Sequence, residues 1–401
     1  MRGVEQHERV ETLDIIRGIA LMGILLINVH IMTSLDFFKE AYGIQAQPET
    51  AFDNILAALI EFFIEGSFIS TFSILFGIGF YLFMTRAEAK GWPERRLFVK
   101  RLLALGVFGL LHLIVFWVGD ILLYYAVGGF FLLLFYKVRE KFLLVWSLVL
   151  LGVFFLFYST QLLIPDSFMK AMQATGYNVL DEAEAAYEVP FFSAAYWQFR
   201  FQEEVLLVLG QIPLLIPYVL GLFLFGFYAA KKEWFQRAAE KRIVFKRMLI
   251  GGLIAAVPFL ALMIPMRLSD TFFTDPGVIY QYDLLLRIGS LPLALVYISA
   301  ITLYVTSRGA GPLLNRFGAM GRMALTNYLS HTVLIVLFIH VSGLFNTLTV
   351  TGNVIVVIAV VALQLWWSPI ILRRWQYGPM EALWRKLTYA GSSKKATDSH
   401  T

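Results

Sequence analysis

The 401-residue chain has no cysteine and little charge: Asp, Glu, Lys and Arg together make up 15% of it. Without thiols there is no disulfide, no thiolate zinc site and no cysteine nucleophile. A soluble domain carries about 25% charged residues. The shortfall here, beside 59% hydrophobic and 16% aromatic residues, excludes a large soluble enzyme with one greasy helix. Chemical motifs are sparse too. There is no Gly-x-x-x-x-Gly-Lys-Ser/Thr phosphate loop, no nucleophile elbow and no histidine pair at metal-ligand spacing. Those absences argue against ATP-driven work and against a metal catalyst. No internal repeat is evident, which weakens a transporter built from two matching halves.

What the chain does have is long apolar runs. A bilayer span needs about 20 mostly apolar residues. Reading runs between charge clusters predicts about ten, near 15–35, 54–84, 102–118, 121–136, 143–164, 206–229, 247–266, 284–306, 323–343 and 353–372. The expected fold is all-α and polytopic, a single transmembrane domain over 1–390, with the polar tail 391–401 disordered. The second run is overlong and carries Glu61, Glu65 and Gly66, so it divides into a lead-in or re-entrant piece (54–66) and a span (67–84). The third and fourth runs, joined by Gly119-Asp120, predict a tight helical hairpin. The one long loop, 165–204, is acidic through Asp181, Glu182, Glu184 and Glu188 and aromatic over 191–201. It is expected to form helices over the outer face.

Ten spans put both termini on the same side, and lysine and arginine test that side. All but five of the 33 basic residues fall in the alternate loops that would be cytoplasmic. The exceptions are Lys39, Lys170, Arg200, Arg267 and Arg287. The net charge of +5, which in a soluble protein would point to nucleic acid, is therefore an orientation signal, and lipid is the expected surroundings. Glu5, Glu8, Glu11 and Asp14 precede the first run with no small-residue cleavage site, so it reads as a retained helix.

A charge at the bilayer centre costs about 2.5–3.5 kcal/mol on insertion scales, which makes each ionisable group within a span a candidate for function. Four groups stand out. Asp14 and Arg17 are i,i+3 neighbours able to pair on one face of the first span, with Asn28 and His30 near its other end. Two residues apart, Asn28 and His30 point about 200° away from each other around a helix. Glu61 and Glu65 lie one turn apart ahead of Gly66-Ser67, a carboxylate pair fit for proton acceptance or cation binding. His112 sits among Leu111, Leu113 and Phe116 and needs a partner, because an unpaired buried imidazole is costly. Asp120 is too far along the same helix to bond it directly, so the partner is expected from another helix or from substrate. In the last group, Asp283 and Arg287 form an i,i+4 pair, and Gly321-Arg322 leads into Thr326, Asn327, Tyr328 and His331, with His340 beyond. Thr326 and Asn327 read as helix glue, and His331 is open to either role. Gly77-x-Gly79 reads at most as helix packing.

Set in order, these pieces resemble the YeiB-type family of bacterial inner-membrane proteins. The matching residues are Leu13-Asp14-x-x-Arg17-Gly18-x-Ala20-Leu21-x-Gly23 with Asn28, then Glu65-Gly66 and Phe72-Ser73-x-Leu75-Phe76-Gly77. Leu111-His112 with Gly119-Asp120-Ile121-Leu122 follows, and then Gly321-Arg322-Met323-Ala324-Leu325-Thr326-Asn327-Tyr328. Tyr377-Gly378-Pro379-Met380-Glu381 with Leu383-Trp384-Arg385 closes the series. The family is similar to a wider group of transmembrane acyltransferases that includes the lysosomal heparan glucosaminide acetyltransferase. Those proteins begin with a comparable Asp-x-x-Arg-Gly helix and a polar residue eleven positions after the arginine, here Asn28. The heparan enzyme's catalytic histidine lies in the loop after its first helix. The corresponding loop here, 36–53, has no histidine, so His30 or His112 would take that role.

The resemblance implies an acyl group moving from a cytoplasmic donor such as acyl-CoA to a sugar or lipid hydroxyl at the outer side. The base would be His112 or His30, oriented by Asp120 or Glu65, because acyl transfer needs a base near neutrality and a held orienting group. Asn28, Arg17, Arg287, Asn327 and His331 would contact substrate, and Arg96, Lys100, Arg101 and Arg322 would hold the donor's phosphates. The alternative is a proton-coupled transporter with Glu61 and Glu65 as coupling groups.

Overall fold

The computed structural model describes residues 10–44, 50–189 and 193–392. Its elements are helical throughout. In chain order they are α1 (Glu11–Thr33), α2 (Asp36–Ala41), α3 (Ala51–Phe63), α4 (Ser67–Ala89), α5 (Glu94–Leu111), α6 (Leu122–Leu132), α7 (Glu140–Tyr158) and α8 (Asp166–Glu188). The second half adds α9 (Ala194–Phe199), α10 (Leu206–Lys231), α11 (Arg242–Arg267), α12 (Pro276–Arg308), α13 (Pro312–Arg322), α14 (Ala324–Ser342), α15 (Val350–Arg374) and α16 (Pro379–Tyr389). Among the described residues nine runs are long and apolar enough to cross a membrane, and Leu122–Phe135 is a shorter tenth. The chain is an all-α polytopic membrane protein.

Exposed side chains say the same. Leu156, Ile254, Val257, Ile355, Ile358 and Trp366 are all at least 60% exposed. In water such a surface would drive association; against lipid it costs nothing. Inside, Phe223 and Phe227 of α10 are completely buried, Phe223 stacked on Phe76 of α4 and Phe227 edge-on to Phe80.

Glycine sets the closest helix contacts. A Cβ on Gly77 would lie 1.9 Å from the Phe223 carbonyl oxygen, and one on Gly226 would lie 2.0 Å from that of Ile74, so α4 and α10 touch backbone to backbone. Gly18 of α1 and Gly321 of α13 make a second mutual contact of the same kind. Gly79, by contrast, faces open space.

The predicted division of the second run holds: α3 stops at Phe63, and α4 starts after Gly66, whose φ of +70° is a turn that side chains with a Cβ rarely adopt. The predicted hairpin holds as well. One expectation shifts at its edge. The loop 165–204 ends at 193, because α9 runs through a π-helical stretch, Arg200–Val205, into α10 as one helical rod. Most of the expected tail, 393–401, lies outside the described residues.

Hydrogen bonds sort the connections into two ends. At the basic end Tyr136 bonds Glu88, Lys231 bonds the Val138 carbonyl, and Lys100 bonds the Ala390 carbonyl. At the other end the Asn346 amide bonds the Thr33 carbonyl, Thr351 bonds Asp53, Gln173 bonds Gly43, and Phe38 packs on Phe199. The alternation read from the charges is thus reproduced by contacts between the loops themselves.

Candidate functional site

The hairpin of α5 and α6 builds a deeply enclosed polar group. At Leu111 the α-helix loosens into a π-helical turn, His112–Phe116, closed by Trp117 N–H donating to the His112 carbonyl. The chain then reverses over residues 117–121. Reversal is tight because Gly109 has no side chain: a Cβ there would sit 2.5 Å from the Leu123 nitrogen and 2.8 Å from Asp120 Oδ2.

The reversal overturns one expectation. Asp120 is not too far from His112: its Oδ1 lies 2.9 Å from Nδ1, because the helix ends and folds back instead of continuing past Phe116. Asp120 Oδ2 accepts from the Leu123 amide at 2.7 Å, which fixes the carboxylate at the start of α6. The expected partner from another helix is present as well. Thr332 Oγ1 of α14 stands 2.9 Å from His112 Nε2. His112 and Asp120 are 2% and 3% exposed. Tyr328, one turn before Thr332, accepts from the Ile121 amide and donates to the Gly119 carbonyl, pinning the reversal to α14. Its ring centroid is 5.3 Å from that of the imidazole. Asp120, His112 and Thr332 therefore form a hydrogen-bonded carboxylate–imidazole–hydroxyl relay spanning two helices and a turn.

A buried ion pair supports the turn from the other side. Breaking α-helical bonding leaves the Leu113 and Ile114 carbonyls free for an outside donor. Arg200 supplies it, donating from Nη2 to Leu113 at 3.1 Å and from Nε to Ile114 at 3.0 Å. Its Nη1 pairs with Glu204 at 2.6 Å, and Tyr187 of α8 donates to the other oxygen of that carboxylate. Sequence reasoning missed Arg200, Glu204 and Thr332. Arg200 stood out only as a basic residue on the wrong side of the charge alternation, which was the available signal.

The other expected site residues are dispersed. Asn327 and His331 bind α15: Asn327 Nδ2 donates to Ser368 Oγ and the Met320 carbonyl and its Oδ1 accepts from Trp367, while His331 Nε2 meets Gln364 Oε1 at 2.8 Å. Gln364 in turn donates to the Asn327 carbonyl and Ser330. Such a closed network works as interhelical glue. Thr326 does the same toward α16, donating to Glu381, which also accepts from the Leu325 and Thr326 amides and so caps α14 from a different helix.

A third group lies at the far end from the basic loops. His30 Nε2 is 2.8 Å from Glu40 Oε1 of α2. Asn28 and His30 flank the buried Val29 and are themselves half-buried, as their angular separation requires. Glu61 is taken by Arg267 at 2.9 Å and by Tyr282 at 2.6 Å. Asp283 and Arg287 pair at 3.2 Å, with Tyr158 bonded to both. Glu65, in the break between α3 and α4, lines a narrow cavity of ≈ 10 Å³ with Met263, Leu286 and Ser290, room for about one water. Among the described residues no hydrogen bond or ion pair links His30 or Glu65 to the His112 relay.

At the basic end Asp14 and Arg17 pair at 2.8 Å, as their spacing predicted. Arg17 stands about 16 Å along α1 from Asn28, so the two cannot serve one small group. Arg101 stacks over Trp384 of α16 at 3.5 Å, and its carbonyl accepts from that indole. Lys100 is held by the Ala390 carbonyl and Ser392. Both are engaged in docking α16. Arg96 is exposed, and Arg322 ends α13 half-buried.

Comparison with known proteins agrees with the fold and names no chemistry. Residues 229–391 match the family model described as "Protein of unknown function (DUF418)". "Uncharacterized protein YxaH" of Bacillus subtilis (strain 168) is 31% identical over 406 residues, covering 96% of this chain and 95% of that protein. "Uncharacterized protein YeiB" of Escherichia coli (strain K12) is 27% identical, covering 95% and 96%. An "Uncharacterized 39.9 kDa protein in amylase 3'region" of Bacillus acidopullulyticus is 28% identical over 97% of this chain and 96% of its own length. These similarities run over nearly the full length of each protein, and the chain belongs to the YeiB-type family of multi-pass membrane proteins, with its C-terminal DUF418 region.

Proposed function

We propose that the protein is a membrane-embedded acyltransferase of the bacterial inner membrane, with both termini cytoplasmic. It moves an acyl group from a cytoplasmic thioester donor of the acyl-CoA type to a hydroxyl of a sugar or lipid head group at the outer side. The observation that supports this most is the Asp120–His112–Thr332 relay. A carboxylate that orients an imidazole whose far nitrogen meets a hydroxyl is the arrangement acyl-transfer chemistry requires. Burying three polar groups in an apolar hairpin is otherwise an expensive way to join two helices. Asp120 holds Nδ1–H and stabilises the imidazolium; His112 takes and returns the proton. Of the basic groups expected to hold a donor's phosphates, Arg96 is the exposed one, whereas Lys100 and Arg101 are engaged in docking α16.

The test is thiol release from a panel of acyl-CoAs by the purified protein in lipid nanodiscs, with and without cell-envelope extract as a source of acceptor. Turnover should depend on the extract and fall about 10³-fold or more in His112→Ala and Asp120→Asn, while His30→Ala retains it. Unchanged turnover in both hairpin variants would sink the assignment. A proton-coupled transporter remains the second reading, favoured by the helix break at Glu65, since discontinuous helices line transport sites. Flux indifferent to collapse of the proton gradient would count against it.

A further inference from the structure

Hydroxyls within these helices ordinarily satisfy themselves one turn back. Ser70, Ser73, Thr85, Thr302 and Thr306 each donate to the carbonyl of residue i−4, the usual solution for serine and threonine in an apolar helix. Thr332 departs from it. The one hydrogen bond its hydroxyl makes among the described residues is to His112 Nε2, across 220 residues of sequence, in a side chain that is 1% exposed. Proton direction follows from the chain of partners. The Asp120 carboxylate accepts at Nδ1, so the neutral imidazole, assigned from this partner, carries hydrogen on Nδ1 and presents its lone pair at Nε2. Thr332 must then donate to Nε2, and its oxygen is left with increased electron density.

A second observation points to an absent ligand. The indole of Trp117 lies edge-on to the imidazole with centroids 6.3 Å apart, and its Nε1–H is buried with no acceptor among the described residues. A buried donor without a partner is rare in native structures. On a ring packed against the same imidazole, such an N–H is suited to the oxygen of a carbonyl that becomes tetrahedral.

We infer that Thr332 is the covalent nucleophile of acyl transfer and that Trp117 Nε1 stabilises the oxyanion; this rests on the acyltransferase reading. Thr332 Oγ1 attacks the carbonyl carbon of the thioester while its proton passes to His112 Nε2. The C–S bond breaks, the imidazolium returns the proton to the departing sulfur as a thiol, and a threonyl ester remains. The acceptor hydroxyl then attacks that ester and gives its proton to Nε2. As the bond between the acyl carbon and Thr332 Oγ1 breaks, that oxygen recovers the proton from Nε2. No oxidant or reductant is needed. His112 and Thr332 are both buried, so the donor reaches them only when side chains packed around the relay shift.

The full-length protein in nanodiscs, given acetyl-CoA or longer acyl-CoAs with acceptor withheld and then quenched in acid, should gain the mass of one acyl group on the peptide bearing Thr332. Neutral hydroxylamine, which strips an acyl-imidazole, should leave this ester. Thr332→Ser should keep the adduct. Thr332→Val, which preserves shape, should lose it and lower turnover about a hundredfold or more, with thermal unfolding confirming that it folds. Trp117→Phe should slow acylation about tenfold or more. Turnover by Thr332→Val within about twofold of wild type, or an adduct removed by neutral hydroxylamine, overturns the inference and leaves the acyltransferase reading standing. Folded wild type that releases no thiol from any donor overturns both.

Discussion

The Arg200–Glu204 pair offers the sharpest test of how the hairpin is held. Both side chains are almost fully buried, at 3% and 1% exposure. Removing one member of a buried ion pair leaves an uncompensated charge and costs about 3–5 kcal/mol. Glu204→Leu should lose about that much, because the guanidinium remains bound to two carbonyls but loses its counter-charge. Arg200→Leu should lose more, since Glu204 keeps only the Tyr187 hydroxyl and the Leu113 and Ile114 carbonyls lose their donor, at about 1–3 kcal/mol for each unsatisfied group. The double variant carries no buried charge, so it should be no less stable than Arg200→Leu alone. That means a coupling of at least about 3 kcal/mol, at or beyond the top of the range for residues in contact. Equilibrium unfolding in mixed micelles, followed by tryptophan fluorescence, measures all three. Effects that add to within about 0.5 kcal/mol would refute the argument, and with it the claim that the pair acts as one unit on the π-helical turn.

Glycine at the α4–α10 contact makes a paired prediction. Gly77→Ala should destabilise by about 1–3 kcal/mol, because its Cβ has only backbone to displace, whereas Gly79→Ala should be neutral or slightly stabilising in the same unfolding assay. Arg101→Lys should loosen α16, losing about 0.5–2 kcal/mol of stacking over Trp384; proteolysis just ahead of Pro379 should speed up, and unchanged cleavage would discount the stack. Burial pushes the Glu381 carboxyl above its ordinary value of 4.5, against the pull of the three donors it caps. A raised folded-state value stabilises below pH 4.5 and loses that contribution as pH rises through the folded value. Wild type should therefore lose stability relative to Glu381→Gln over that rise, and the opposite trend would reverse the assignment.

What the sequence made legible was whatever depends on local geometry. Spans followed from apolar runs and length, the two ends from lysine and arginine, the Asp14–Arg17 and Asp283–Arg287 pairs from helical spacing, and the break at Glu65-Gly66 from carboxylates beside a glycine. The pairs and the break are fixed by residues within about a turn of one another, and the spans and ends by composition along the chain. His112 was legible as a group that needed a partner, because its cost is set by the apolar residues around it. The identity of that partner was not, and the reason lies in the turn. Spacing arguments carry a helix forward at constant rise, which puts eight residues about 12 Å apart. The chain instead stops at Phe116, and nothing in Leu-Ile-Val-Phe announces a π-helical end. That end is stabilised from outside, by Arg200 on the two freed carbonyls, by Tyr328 on the reversal and by Thr332 on the imidazole. All three come from helices distant in sequence. Thr332 itself was hidden behind His331, the more conspicuous neighbour, although the two side chains diverge on α14: His331 turns to Gln364 of α15 and Thr332 to the hairpin. A histidine partnered within its own helix pair is glue. A histidine aligned between a carboxylate of its own turn and a hydroxyl of another helix has a direction for its proton, and that direction is what sets the Asp120–His112–Thr332 relay apart from the other polar groups within this bundle.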